Sequence, residues 1–335
     1  MEIFTNSQWL PLVFMGLMGI SILAYVILDG YDLGVGILMS QASDEEKDKM
    51  IASIGPFWDA NETWLVLGAG ILLVAFPIAH GVILTALYLP TAIMLGGLIL
   101  RGVSFDFRAK ANATHKHLWD NVFMSGSLIT TIAQGYMLGL YIVGFEHTLT
   151  TFAFGIISGI CLAAGYCFVG AGWLIMKTED ILQIKAVRWG RIALWGTTLG
   201  MGVVSLVTPL INPRIFDKWF SIPNFFIMLP IPLITGALIL TLEITLRKLP
   251  HPNDHYCWVP FAGAVALFLL GFVGLAYSFF PYIVPDKITI WEAASSPESL
   301  LIILIGALIV LPCIIVYTVF AYRVFWGKVK DLSYD

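Results

Sequence analysis

The chain has 335 residues, of which 59% are hydrophobic and only 12% charged, with a mean hydropathy of +0.87. This composition excludes a water-soluble globular domain and indicates an integral membrane protein. The net charge of −4 is dispersed over short loops, so no basic patch points to a nucleic-acid partner.

Crossing the hydrocarbon takes about 20 apolar residues. The first such run is predicted over 9–37. It lacks a basic n-region and a small-residue cleavage site, so it is expected to be retained rather than removed as a signal peptide. Its far end reads Asp29-Gly30-Tyr31-Asp32-Leu33-Gly34-Val35-Gly36. Ionised carboxylates within a span cost roughly 2.5 to 3.5 kcal/mol each, and the glycines beside them let a neighbour approach closely. Further spans are predicted at 57–79, 82–103, 118–143, 152–176, 191–211, 222–246, 258–281 and 300–324. The fold class is therefore all-α: a polytopic membrane protein with nine transmembrane helices in a single transmembrane domain over 1–335.

Assigning alternate connections to opposite sides places all 18 Lys and Arg on one side except Arg214, Lys218 and Lys287. Cytoplasmic loops carry the positive excess, so the N-terminus is expected outside and the C-terminus in the cytoplasm. With that topology Asp29, Asp59 at the opening of the second span and Arg101 at the close of the third fall at similar inner depth. A guanidinium can neutralise one carboxylate and leave a second to exchange protons, a workable unit for proton transfer. Glu62 follows Asp59 by three residues and shares its helix face, offering a next step. The alternative is structural, with Asp59 as a helix cap and Arg101 as an inner-face anchor.

Other polar positions have simpler readings. Glu243 and Arg247 have the spacing of a helix-end ion pair, and Gln134 that of interhelical glue. Trp9, Trp58, Trp119, Trp219, Trp258, Trp291 and Trp326 fall near span ends as an interfacial belt. Cys161, Cys167, Cys257 and Cys313 lack metal-site spacing and read as small apolar residues. His80 and His147 map to outer loops, and His115, His117, His251 and His255 to inner ones. No imidazole is expected at the midplane to ligate haem, so any redox metal belongs to a partner.

The motifs Asp29-Gly30-Tyr31-Asp32-Leu33-Gly34-Val35-Gly36, Trp58-Asp59-Ala60-Asn61-Glu62-Thr63-Trp64-Leu65, Phe76-Pro77 and Arg101-Gly102-Val103-Ser104-Phe105-Asp106-Phe107-Arg108 resemble subunit II of a cytochrome bd-type quinol oxidase. Phe280-Pro281, Trp291-Glu292-Ala293-Ala294-Ser295-Ser296 and Pro312 agree with it, so the resemblance runs nearly the whole chain. It implies two four-helix bundles plus one peripheral helix, packed against a haem-bearing cytochrome bd subunit I that holds haem b and haem d and the quinol-oxidising loop. The implied reaction passes electrons from quinol to dioxygen, forming water, in a prokaryotic cell membrane, with protons taken from the cytoplasm and no pumping. This chain itself is then a haem-free subunit, not catalytic alone.

By the same resemblance Asp29, Asp59 and Arg101 correspond to a proton path, and Trp64 to an oxygen-access route. Glu62 departs from the neutral amide expected there, and Glu292 from an aspartate expected after Trp291. A small accessory subunit and a bound quinone or membrane lipid occur in some relatives. Two other classes compete: a proton-coupled secondary transporter, which needs inverted repeats that are not evident here, and a purely structural assembly subunit.

Overall fold

The computed structural model describes residues 8–329 except 147, 252 and 253. His147, assigned above to an outer loop, lies outside the described residues, as does Lys330, one of the 18 Lys and Arg counted above. The chain is almost entirely helical. Seven segments are long and apolar enough to cross a membrane: Trp9–Gln41, Pro77–Lys110, Leu149–Lys177, Asp180–Ile211, Asn224–Lys248, Val259–Phe279 and Pro297–Val324. Two other long helices, α3 (Trp58–Ala75) and α5 (Ala113–Ile142), carry more polar sequence. Asp59 and Glu62 open α3, while Lys116 and Asp120 open α5 and Ser127, Thr130 and Thr131 are buried along it.

The helices divide between two compact units. The first comprises Met1–Asp29, Pro56–Ala86 and Phe279–Trp326, and so holds the N-terminal part of α1 (Trp9–Leu38), α3, the start of α4 (Pro77–Lys110) and α13 (Pro297–Val324). A single residue, Phe76, separates α3 from α4. Pro77 suits the first position of a helix, where its missing N–H costs nothing. The last carbonyls of α3 are satisfied from another segment: Ser295 donates its N–H to Ala75 O (2.8 Å) and its hydroxyl to Val74 O (2.7 Å). Before α13, strands β1 (Tyr282–Val284) and β2 (Ile288–Thr289) form a small antiparallel pair. The short helix α12 (Ile290–Ala293) follows and opens on a capping box in which Thr289 and Glu292 bond reciprocally. Glu292, the departure noted above, thus has a local structural role. Those hydrogen bonds from the Thr289 backbone and hydroxyl hold its carboxyl below the usual range.

The second unit comprises Gly30–Gly55, Leu87–Ser278 and Gly327–Asp335. Its core is built on α6 (Leu149–Lys177), which packs against α5 and α7 (Asp180–Ile211). The end of α1 joins it through small residues. At Gly34 an added Cβ would stand 1.8 Å from the carbonyl oxygen of Tyr166, so only glycine permits the crossing. Tyr31 stacks on Trp173 with ring centroids 4.3 Å apart, and the Trp173 indole donates to Ser53 O at 3.2 Å. Gln134 accepts from the Tyr166 hydroxyl at 2.7 Å, interhelical glue as its position suggested.

The connection after α1 contains a helix that hydropathy does not reveal, α2 (Asp44–Ile54). Ser43 and Glu46 form its capping box, and Asp44, Glu45 and Glu46 place negative charge at its N-terminus. The unit is completed by α8 (Pro213–Phe220), α9 (Asn224–Met228), α10 (Pro230–Lys248) and α11 (Val259–Phe279).

Candidate functional site

Asp29 and Asp32, three residues apart on α1, are both 0% exposed. A carboxyl buried this deeply is kept neutral or is held by positive or donating groups. Asp29 falls in the first unit, together with Asp59, Glu62 and Trp64 on α3.

The buried face of α3 is Asn61, Trp64, Gly68, Ile71 and Ala75, spaced by three and four as a single helical stripe requires. Asn61, not Asp59, turns toward α1: its amide donates to the carbonyl of Leu28 at 3.2 Å, at the peptide that enters Asp29. The Asn61 carbonyl oxygen accepts from the Tyr322 hydroxyl at 3.2 Å, and Phe57 stacks on Tyr322 with centroids 4.5 Å apart. One asparagine therefore ties α1, α3 and α13 together beside Asp29. Asp59 lies on the opposite side of α3 and is exposed, and Glu62 is half-buried. Asp59 is not the helix cap, because the N-cap position is Phe57. Trp64 is buried, and its indole N–H has no hydrogen-bond partner among the described residues.

Arg101 belongs to the second unit and is 1% exposed, an unusual burial for a guanidinium. The close crossing of α4 and α5 places it. A Cβ on Gly126 would stand 2.7 Å from Gly97 O and 2.9 Å from Arg101 N, so backbone meets backbone one turn before Arg101.

A charge network in the second unit escapes a reading that treats each loop separately. Arg108 near the end of α4 bonds the buried Asp120 on α5 through Nε, and reaches Asp48 on α2 at 2.7 Å. Lys116 also bonds Asp48 (2.8 Å), Lys47 bonds Asp44 (2.9 Å), and Lys185 on α7 bonds Glu46 (2.8 Å). Burial pushes the Glu46 and Asp48 carboxyls up, but their lysine and arginine partners outweigh it and both lie below the usual range. The signal available in sequence was Asp120, an acid shortly after a basic turn.

His80 is in the first turn of α4, His115 and His117 are at the start of α5, and His251 and His255 lie between α10 and α11. Among the described residues no three His, Cys, Asp or Glu side chains are gathered as a metal site.

Comparison with known proteins gives a consistent picture. The family described as Cytochrome bd terminal oxidase subunit II matches residues 10–325. The chain is 24% identical to Cytochrome bd-I ubiquinol oxidase subunit 2 of Escherichia coli (strain K12) over 360 aligned residues, 93% of each chain. It is 27% identical to Cytochrome bd ubiquinol oxidase subunit 2 of Bacillus subtilis (strain 168), covering 94% of this chain and 95% of that one. A solved structure of bd oxidase from Geobacillus thermodenitrificans superposes with a TM-score of 0.78 at 15% identity, over 95% of this chain and 98% of the other.

Proposed function

Because the chain belongs to the cytochrome bd terminal oxidase subunit II family, a respiratory oxidoreductase subunit of the plasma membrane whose complex contains haem and a partner subunit I, we propose that it conducts protons from the cytoplasm toward the haems of that partner. The observation that carries this reading is the contrast between the acids of the first two motifs: Asp29 wholly buried, Asp59 exposed on the far face of the helix that Asn61 fastens beside Asp29. A buried acid stores a proton away from bulk water, and an exposed one on α3 can pass it to a neighbouring chain. Glu62, three residues on, extends the exposed side of the route. Arg101, a buried cation of the second unit, belongs to the same route as a group of the kind that lets a carboxylate ionise away from water, and Trp64 flanks an oxygen-access route.

In this account nine helices cross the membrane, N-terminus outside and C-terminus in the cytoplasm. The lopsided distribution of Lys and Arg supports that orientation. They form two four-helix bundles with α13 as the peripheral ninth, a place suited to its low burial, 6% of its apolar window. Subunit I holds haem b and haem d and oxidises quinol. The dioxygen chemistry is theirs, and this chain's residues hold and move protons. A small accessory subunit, a bound quinone and membrane lipid complete the assembly.

The test is the co-purified two-subunit complex carrying Asp29→Asn or Asp59→Asn. Haem absorption should be retained while quinol-dependent oxygen uptake falls by about a hundredfold, the scale of losing a positioned proton-transfer group. Unchanged uptake would reduce the chain to an architectural role.

A further inference from the structure

Away from the proton-route residues, the second unit holds a cavity of about 440 Å³ between the first half of α7 and the end of α10. Three arginines line it, Arg188 and Arg191 from α7 and Arg247 from α10. The acid in contact with them is Glu243, whose Oε1 accepts from Arg191 Nη2 at 3.0 Å and from Arg247 Nε at 2.8 Å. Arg188 is exposed and makes no ion pair among the described residues. One carboxylate against three guanidiniums leaves the cavity with an excess of positive charge. Paired at Glu243, Arg191 and Arg247 are held in place while keeping donors to spare.

The remaining wall is apolar and includes Ile192 and Trp195. These residues begin a stripe along the same face of α7. Ile192 is 67% exposed, Trp195 52%, Leu199 69% and Leu206 68%. Residues at this spacing lie one above another down a helix, so an apolar track leads from the arginines into the depth of the span. A tryptophan between the two zones is the arrangement of an interfacial side chain.

We propose that this cavity binds the phosphate headgroup of an anionic glycerophospholipid, with its acyl chains lying along Ile192, Trp195 and Leu199. Guanidinium forks match phosphate oxygens, and basic pockets between spans are suited to anionic headgroups. The apolar track distinguishes this ligand from free phosphate, which has nothing to place there. The proposal concerns α7 and α10 alone and stands whether or not Asp29 and Asp59 conduct protons.

The experiment is native mass spectrometry of the delipidated two-subunit complex titrated with phosphatidylglycerol, phosphatidylcholine or inorganic phosphate. The account expects one phosphatidylglycerol retained in preference to phosphatidylcholine, and not displaced by inorganic phosphate. Arg188→Gln should weaken it about fivefold, and the triple change of Arg188, Arg191 and Arg247 to Gln about a hundredfold. Arg188→Lys should largely restore binding. Since Arg188 holds no other side chain, its substitution leaves the fold intact, and normal haem content and oxygen uptake verify that. Equal retention of both lipids, insensitivity to Arg188→Gln, or displacement by inorganic phosphate would each overturn the assignment.

Discussion

Asp29, toward the end of α1, and Asp59, in the first turn of α3, are both acids, yet burial separates them completely, and it is their inequality that suits a relay. Hydropathy makes Asp29, Asp32 and Arg101 conspicuous in sequence because ionisable groups in apolar runs are costly. It says nothing of facing, and so it grouped Asp59 with Asp29 when the residue turned toward α1 is Asn61. That residue's role depends on Tyr322, 261 positions away, a pairing no local pattern encodes. Asp120 stands out in sequence as an acid shortly after a basic turn, but its partner does not: its significance is the guanidinium of Arg108 across the α4–α5 turn. Both side chains are under a tenth exposed, and removing one partner of a buried pair costs about 3 to 5 kcal/mol. Asp120→Ala is therefore expected to lower the melting temperature of the purified complex clearly, as read by loss of helical circular dichroism. Asp106→Ala, on the same end of α4, should change it little.

At the scale of elements, the long helices were legible because lipid-facing spans need uninterrupted apolar sequence, whereas α2 was hidden by its polarity and carried only a capping signature, Ser43 followed three residues later by Glu46. Its attachment is electrostatic, through Glu46 to Lys185 and Asp48 to Arg108 and Lys116. Because both carboxyls are depressed in the folded state, their stabilisation is present above the ordinary carboxylate range. It is lost as pH falls below about 4 and through the depressed values. Amide exchange over residues 44–54 should accelerate at that acidity before exchange in α6 does. The α1–α6 crossing gives a steric prediction. With the Tyr166 carbonyl 1.8 Å from the position of a Cβ at Gly34, Gly34→Ala forces the helices apart and should greatly reduce the yield of assembled complex. Gly16→Ala, which meets nothing within 4 Å, should leave the yield unchanged.

At the scale of the whole molecule, subunit II contributes to an oxidase a chain whose described histidines and acids do not gather as a metal site, and whose buried charged groups include the carboxyls of Asp29, Asp32, Asp120 and Glu243 and the guanidiniums of Arg101 and Arg108. Those are proton and charge chemistries, and they suit a complex that contains haem and a second subunit. The most direct test is proton uptake, followed with a pH indicator, when the quinol-reduced two-subunit complex meets oxygen. With Asp59→Asn the account predicts uptake slowed by about a hundredfold at unchanged haem content. Uptake at the unmodified rate in that complex would contradict it.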